Sequence, residues 1–173
     1  GPIGLELARQ LKENGRLESI TFLNTFADVT TFQKPFPMWP FEKPLLGDIW
    51  HAAVNRQLTF ILFSWLGVQN LKRVTKEELY AHHDLLKYND PNRSFLKLMR
   101  SFETTQAFQE KIDPILQDAS IPKQLVWGID DKTLTYDRFA QELMRKSHIN
   151  QVYHLRGRHF FQEEKPTEIA QHI

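Results

Sequence analysis

The 173-residue sequence contains no cysteine. That absence excludes disulfides, thiolate metal sites and a cysteine nucleophile, and says little about compartment. There is no charge bias either: 22 Lys and Arg stand against 21 Asp and Glu, a formal net charge of +1. So balanced a chain has no global field for nucleic acid or an anionic membrane, and neither is expected as a partner. Long hydrophobic runs are missing too. The longest, residues 58–68, is interrupted by Thr59, Ser64 and Gly67. It falls well short of the ~20 apolar residues that span a bilayer. No initiator Met or signal segment is visible, which leaves targeting unread. The 41% hydrophobic and 25% charged content is that of a soluble domain with a real core, a cytoplasmic setting being favoured. Finally, no Gly-x-Ser-x-Gly occurs anywhere in the chain.

What is present alternates between helical and strand patterns. Residues 4–14 place Leu5, Leu7, Ala8 and Leu11 on one side and stop at Asn14-Gly15, which predicts a helix. Residues 17–23 alternate and predict a strand. Pro35, Pro37, Pro40, Pro44 and Gly47 mark an irregular excursion. A helical zone follows to about residue 108. In it Thr75 and Glu78 form a capping box, residues 89–92 are a break and Ser94 is the expected cap of the next helix. After Asp113-Pro114 the pattern changes. Residues 124–128 and 149–155 predict two further strands, separated by an amphipathic helix over 136–146, and Pro166 opens a last helix to residue 173. The order implies a parallel α/β sheet. Three strands make a narrow one, and the strand at 125–128 is expected to lack a partner on one side, which suggests a fragment.

Two turns carry the chemistry. Trp127-Gly128-Ile129-Asp130-Asp131 ends one strand, and Gly157-Arg158-His159-Phe160 ends the next. Parallel neighbours bring both turns to the carboxyl edge of the sheet, where open α/β sheets bind ligands. An aspartate there orients an imidazole, and the imidazole acts as general base. Asp131 is the expected acid and adjacent Asp130 the alternative, since Asp is common in turns. Asn24 is read first as a strand terminator, with assistance to the acid as the other reading.

These motifs resemble the C-terminal portion of an α/β-hydrolase over essentially the whole chain. Gly1-Pro2-Ile3-Gly4-Leu5 is similar to the tail of a nucleophile elbow, Phe22-Leu23-Asn24-Thr25 to the next strand end, and the Asp131 and His159 turns to the acid and histidine turns. Arg158 stands where the family often has Gly. The resemblance implies a partial core of about three parallel strands in residues 1–25 and 111–173, with a helical cap inserted at 26–110. It also implies a nucleophile three residues before Gly1, so that these residues alone are inactive and lack the N-terminal half of the sheet. Within the family the motifs are most similar to haloalkane dehalogenases, where an Asp nucleophile forms an ester that His-activated water hydrolyses. The implied substrate is small, apolar and organic, with no cofactor and no metal. Trp39, Trp50 and Trp65 are the candidates for a halide-binding cap residue.

Alternatives stay open at this point. A Ser elbow implies an esterase, a lipase or a carbon–carbon hydrolase. An epoxide hydrolase is less well matched: the cap tyrosines are only Tyr80 and Tyr88, and Met99 precedes Arg100. A hydrolase fold without its nucleophile implies a binding module. His82-His83-Asp84 with His51 is read as a solvated face, because adjacent helical side chains diverge by about 100°. Phe60, Phe63, Trp65 and Leu66 are read as buried core of the cap.

Overall fold

The computed structural model describes residues 1–88 and 93–173, so the break expected at 89–92 lies outside the described residues. The chain divides into two units, 1–32 with 103–173, and 33–102.

The first unit is a parallel sheet with helices. Helix α1 (Pro2–Glu13) starts on proline and ends at Asn14, followed by Gly15 at φ 66°. Strand β1 (Ile20–Leu23) covers only the last part of the expected strand. Helix α6 (Gln106–Gln117) runs past the expected limit near residue 108 and keeps Pro114 inside it. The reason is packing: Ile112, Ile115 and Leu116 on either side of it are all buried. Strand β2 (Lys123–Gly128) follows. The amphipathic stretch after it is a π-turn (Tyr136–Ala140) running into α7 (Gln141–Ser147), not one regular helix. His148 at φ 53° closes α7, and the next strand, β3 (Val152–Leu155), is shorter than expected. The last helix, α9 (Pro166–Ala170), stops short of the expected residue 173 and is preceded by a separate short helix, α8 (Phe161–Glu164).

The strand order is β1-β2-β3, all parallel. Strand β2 is therefore central and paired on both sides, contrary to the sequence expectation; the open edges belong to β1 and β3. Alternation sends Val126 to one face, where it packs with Phe161, Ile169, Leu23, Tyr153 and Leu155. Phe22, Leu125 and Trp127 take the other face and are also buried. Burial on both faces is what a parallel sheet requires. Helix α1 packs on α6, and α6 on α7. Between α1 and β1 runs a groove of about 410 Å³ lined by Leu5, Leu11, Leu17, Ile20 and Phe22. The segment beyond β1 is pinned to α6: Gln109 accepts from Val29 N–H at 2.8 Å and donates to the Ala27 carbonyl at 3.1 Å.

The second unit is helical. A 3₁₀ turn (Trp39–Glu42) precedes α2 (Leu46–Ala53) and α3 (Arg56–Leu62), and a π-turn (Phe63–Gly67) precedes α4 (Lys76–Lys87) and α5 (Arg93–Arg100). The Thr75–Glu78 capping box opens α4 as expected. Ser94 lies inside α5 and not before it. Phe41, Leu96 and Met99 form a core, with Met38, Trp50, Val54 and Phe95 against it. Phe60, Phe63, Trp65 and Leu66 are not part of a buried core; Trp65 is 59% exposed. No helix among the described residues is long and apolar enough to cross a membrane.

Candidate active site

Strands β2 and β3 finish in step, with Gly128 paired to Leu155. The turns that follow are laced together. Ile129 N–H donates to the Leu155 carbonyl at 2.9 Å and Asp130 N–H to the Gly157 carbonyl at 3.0 Å. The Asp130 carboxylate returns the contact by accepting from Gly157 N–H at 3.0 Å, and it pairs with Arg156 at 3.1 Å. Both glycines are needed for this approach. A Cβ on Gly128 would lie 2.9 Å from the Gly157 carbonyl oxygen, and one on Gly157 would lie 2.5 Å from the Phe161 Cβ.

The lacing delivers Asp131 to His159. His159 Nδ1 lies 2.8 Å from Asp131 Oδ2. The Asp131 side chain is fully buried, and that of His159 keeps 32% of its exposure. The carboxylate is saturated: Oδ1 accepts from Thr133 N–H at 2.7 Å and Leu134 N–H at 3.0 Å, and Oδ2 from Asn24 Nδ2 at 2.8 Å as well as from the ring. A group surrounded by donors is an acceptor, so Nδ1 carries the ring proton and Nε2 offers its lone pair. That arrangement can take a proton from water or a hydroxyl.

The structure thus separates the adjacent aspartates. Asp130 braces the turns and Asp131 meets the histidine. It also corrects the first reading of Asn24, whose amide does more than end a strand. Asn24 is buried and sits at φ 25°. Its Oδ1 accepts from Gly128 N–H at 2.7 Å, and its Nδ2 donates to the Gly128 carbonyl at 3.2 Å and to Asp131. The Thr133 and Leu134 amides were not foreseen; an Asx turn beginning at Asp131 is the local signal that could have found them.

The tryptophan candidates belong to the helical unit. Trp39 is 45% exposed with Lys43 over its ring at 5.7 Å, Trp50 packs on the Phe41 core, and Trp65 lies in the π-turn. Tyr80 lies between Arg56 and Lys76, each within 5.8 Å of its ring centroid. Tyr88 is exposed, and Arg100 pairs with Asp48. The histidine cluster is not a solvated face. His83 is buried against Thr59 Oγ1 at 3.1 Å, His51 is buried between Phe41 and Phe95, and Asp84 pairs outward with Arg56. Burial, and then Lys87, lower the pKa of both buried histidines from the ordinary value. Among the described residues no group of three or more His, Asp or Glu is placed to hold a metal.

No family model matches the sequence, and no curated protein matches it. Among solved structures, 2-hydroxy-6-oxo-6-phenylhexa-2,4-dienoate hydrolase from Rhodococcus sp. strain RHA1 superposes with a TM-score of 0.64 at 15% identity. The match covers 99% of this chain and 58% of that one. The chain has the α/β-hydrolase fold. It spans a little over half the length of that neighbour, with three parallel strands, their flanking helices and the helical unit inserted after β1.

Proposed function

We propose that this chain supplies the acid and the histidine of a hydrolase that works through a covalent ester on a small apolar organic substrate. The observation that carries the proposal is the 2.8 Å contact of His159 with the buried, four-fold hydrogen-bonded Asp131 at the carboxyl edge of the sheet. Asp131 orients the ring and stabilises its charged form. His159 Nε2 takes a proton from water as the water oxygen bonds to the ester carbonyl carbon. Collapse of that adduct breaks the ester bond, and the proton returns to the leaving oxygen. No residue of this chain forms a Gly-x-Ser-x-Gly elbow. We propose, from the likeness of residues 1–5 to the tail of a nucleophile elbow, that the nucleophile is not among these 173 residues and that they alone are inactive. The helical unit is proposed to serve as the substrate-selecting cap, with Trp39, Trp50 and Trp65 as its candidate halide contacts.

The elbow-tail, Leu-Asn-Thr and Gly-x-x-Asp-Lys motifs favour carbon–halogen hydrolysis with an Asp nucleophile. A second reading, carbon–carbon hydrolysis with a Ser nucleophile, is favoured by the dienoate hydrolase neighbour. The two differ at His159. An Asp nucleophile is already ionised and needs the histidine only to hydrolyse the ester, so a His159→Ala protein accumulates alkyl-enzyme. A Ser nucleophile needs the base to form the ester at all. The test is the coding sequence extended upstream of Gly1, expressed with and without His159→Ala, incubated with short haloalkanes and with a 2-hydroxy-6-oxo-dienoate. Halide release, with an alkyl adduct seen by mass spectrometry in the variant, supports the first reading. Dienoate cleavage without an adduct in the variant supports the second. Turnover of either substrate that is indifferent to His159→Ala overturns both, as does turnover by the 173 residues alone.

A further inference from the structure

We infer that Asn24 is a positioning residue for Asp131 and His159; the inference rests on that pair being the reactive one. Asn24 stands one residue past β1 and is 107 positions from Asp131 in sequence. It spends its whole amide on the end of the neighbouring strand: Oδ1 on Gly128 N–H, one Nδ2 proton on the Gly128 carbonyl, the other on Asp131 Oδ2. Joining β1 to β2 needs only the two Gly128 contacts. The third contact goes to the same carboxylate oxygen that receives the His159 Nδ1 proton. Oδ1 is held from the other side by the Thr133 and Leu134 amides, so three fixed donors define the plane of the carboxylate. Asn24 is the one among them that sets where Oδ2 points.

The side chain suits the role. Only an amide offers an acceptor for Gly128 N–H together with two donors for the oxygens beside it. The backbone φ of 25° lies where most L-residues are disfavoured and Asn is among the tolerated ones. Strain of this kind survives where the surroundings over-determine it, and it concentrates at functional sites. Here it aims a buried amide at the acid.

The test reads the His159 Nδ1 proton in the 173-residue chain by ¹⁵N-edited proton NMR, in the native protein and in Asn24→Gly, Asn24→Ser and Asp131→Asn. Glycine accepts the positive φ and removes all three contacts; serine is too short to reach Asp131. The native chain is expected to show one Nδ1–H tautomer with a slowly exchanging proton, and Asp131→Asn to lose it. Either folded Asn24 variant is expected to exchange that proton at least tenfold faster. If Asp131→Asn leaves the signal unchanged, the pair itself is misread. If Asp131→Asn abolishes it while a folded Asn24 variant keeps the native rate, Asn24 only joins strands and the inference is overturned. Should neither Asn24 variant fold, the native chain decides. The Asn24 Nδ2 protons and the His159 Nδ1 proton must then report one shared opening free energy, and two distinct values overturn the inference.

Discussion

Histidine is used in opposite ways by the two units. In the sheet unit, His159 is part-exposed at a strand end with a carboxylate fixed against Nδ1. In the helical unit, His51 and His83 are buried at 3% and 6% exposure; one has an Nδ1 without a partner among the described residues and the other meets a threonine hydroxyl. The difference teaches what each is suited for. A ring that reaches solvent and has a buried carboxylate behind it can gain and release a proton in turnover. A ring enclosed by Phe41 and Phe95 gives up its proton more readily than a free one, because burial opposes its charge.

The sharpest way to break this comparison is to remove each kind of ring. In the upstream-extended protein, His159→Ala is expected to lower turnover by about 10²–10⁴-fold, with thermal unfolding little changed. His83→Ala is expected to do the reverse: it leaves a cavity beside Thr59 in the helical unit and spares the contact of His159 with Asp131. Equal loss of activity from both would end the distinction.

The adjacent aspartates sharpen it further. Asp131→Ala leaves the Thr133 and Leu134 amides without their acceptor inside the sheet unit and removes one of the two acceptors of Asn24 Nδ2. A cost of about 3 kcal/mol in urea unfolding is expected from groups stranded in this way. Asp130→Ala removes one acceptor for Gly157 N–H and a pairing with a largely exposed Arg156, for about 1 kcal/mol. The reverse order would show that the acid had been assigned to the wrong residue.

That ordering was only half legible in the sequence. Glycine before a turn at the end of an apolar run located both Asp131 and His159, because the turn chemistry is local. Nothing local told Asp131 from Asp130; lacing between two turns 27 residues apart decides it. Asn24 was undervalued for the same reason, its partner being 107 positions away. The histidine pair shows a different limit. The 100° divergence of neighbouring helical side chains correctly separates His82 from His83, yet it cannot say which of them turns inward. Pro114 shows a third: packing on both sides of it outweighs the hydrogen bond that proline forfeits. The central position of β2 required the register, which no single strand encodes.

Acid gives the next test. The folded pKa of His51 and of His83 lies below the ordinary value near 6.5, from burial first and Lys87 second, with Asp48 and Asp84 opposing weakly and, in turn, His83 and Arg56 adding to the lowering. The unfolded state therefore binds more protons below that pH, and stability falls as pH drops through it, at most about 1.4 kcal/mol per pH unit for each histidine. Hydrogen exchange between pH 7 and pH 5, corrected for intrinsic rates, is expected to speed up in residues 33–88 in the native protein and less so in His51→Phe. A pH-independent helical unit would mean that its histidines are hydrated after all.

The smallest effect asks whether the units are energetically separate. Thr75 caps α4 by accepting from Glu78 N–H at 3.2 Å, and the Glu78 carboxylate accepts from Thr75 N–H at 2.7 Å. Thr75→Ala is expected to cost about 1 kcal/mol. Helix α4 carries His83 and Lys87, so loosening it should lower protection of the helical unit and bring its acid sensitivity to a higher pH. The sheet unit is held by its own contacts: the strand register, the laced turns and the Gln109 contacts to residues 27 and 29. Protection of the Val126 and Trp127 amides in β2, and the His159 Nδ1 signal, should then stay at native values. If protection falls across both units by the same free energy, the chain unfolds as one cooperative body. The contrast between its histidines would then be a matter of local environment within a single folding unit.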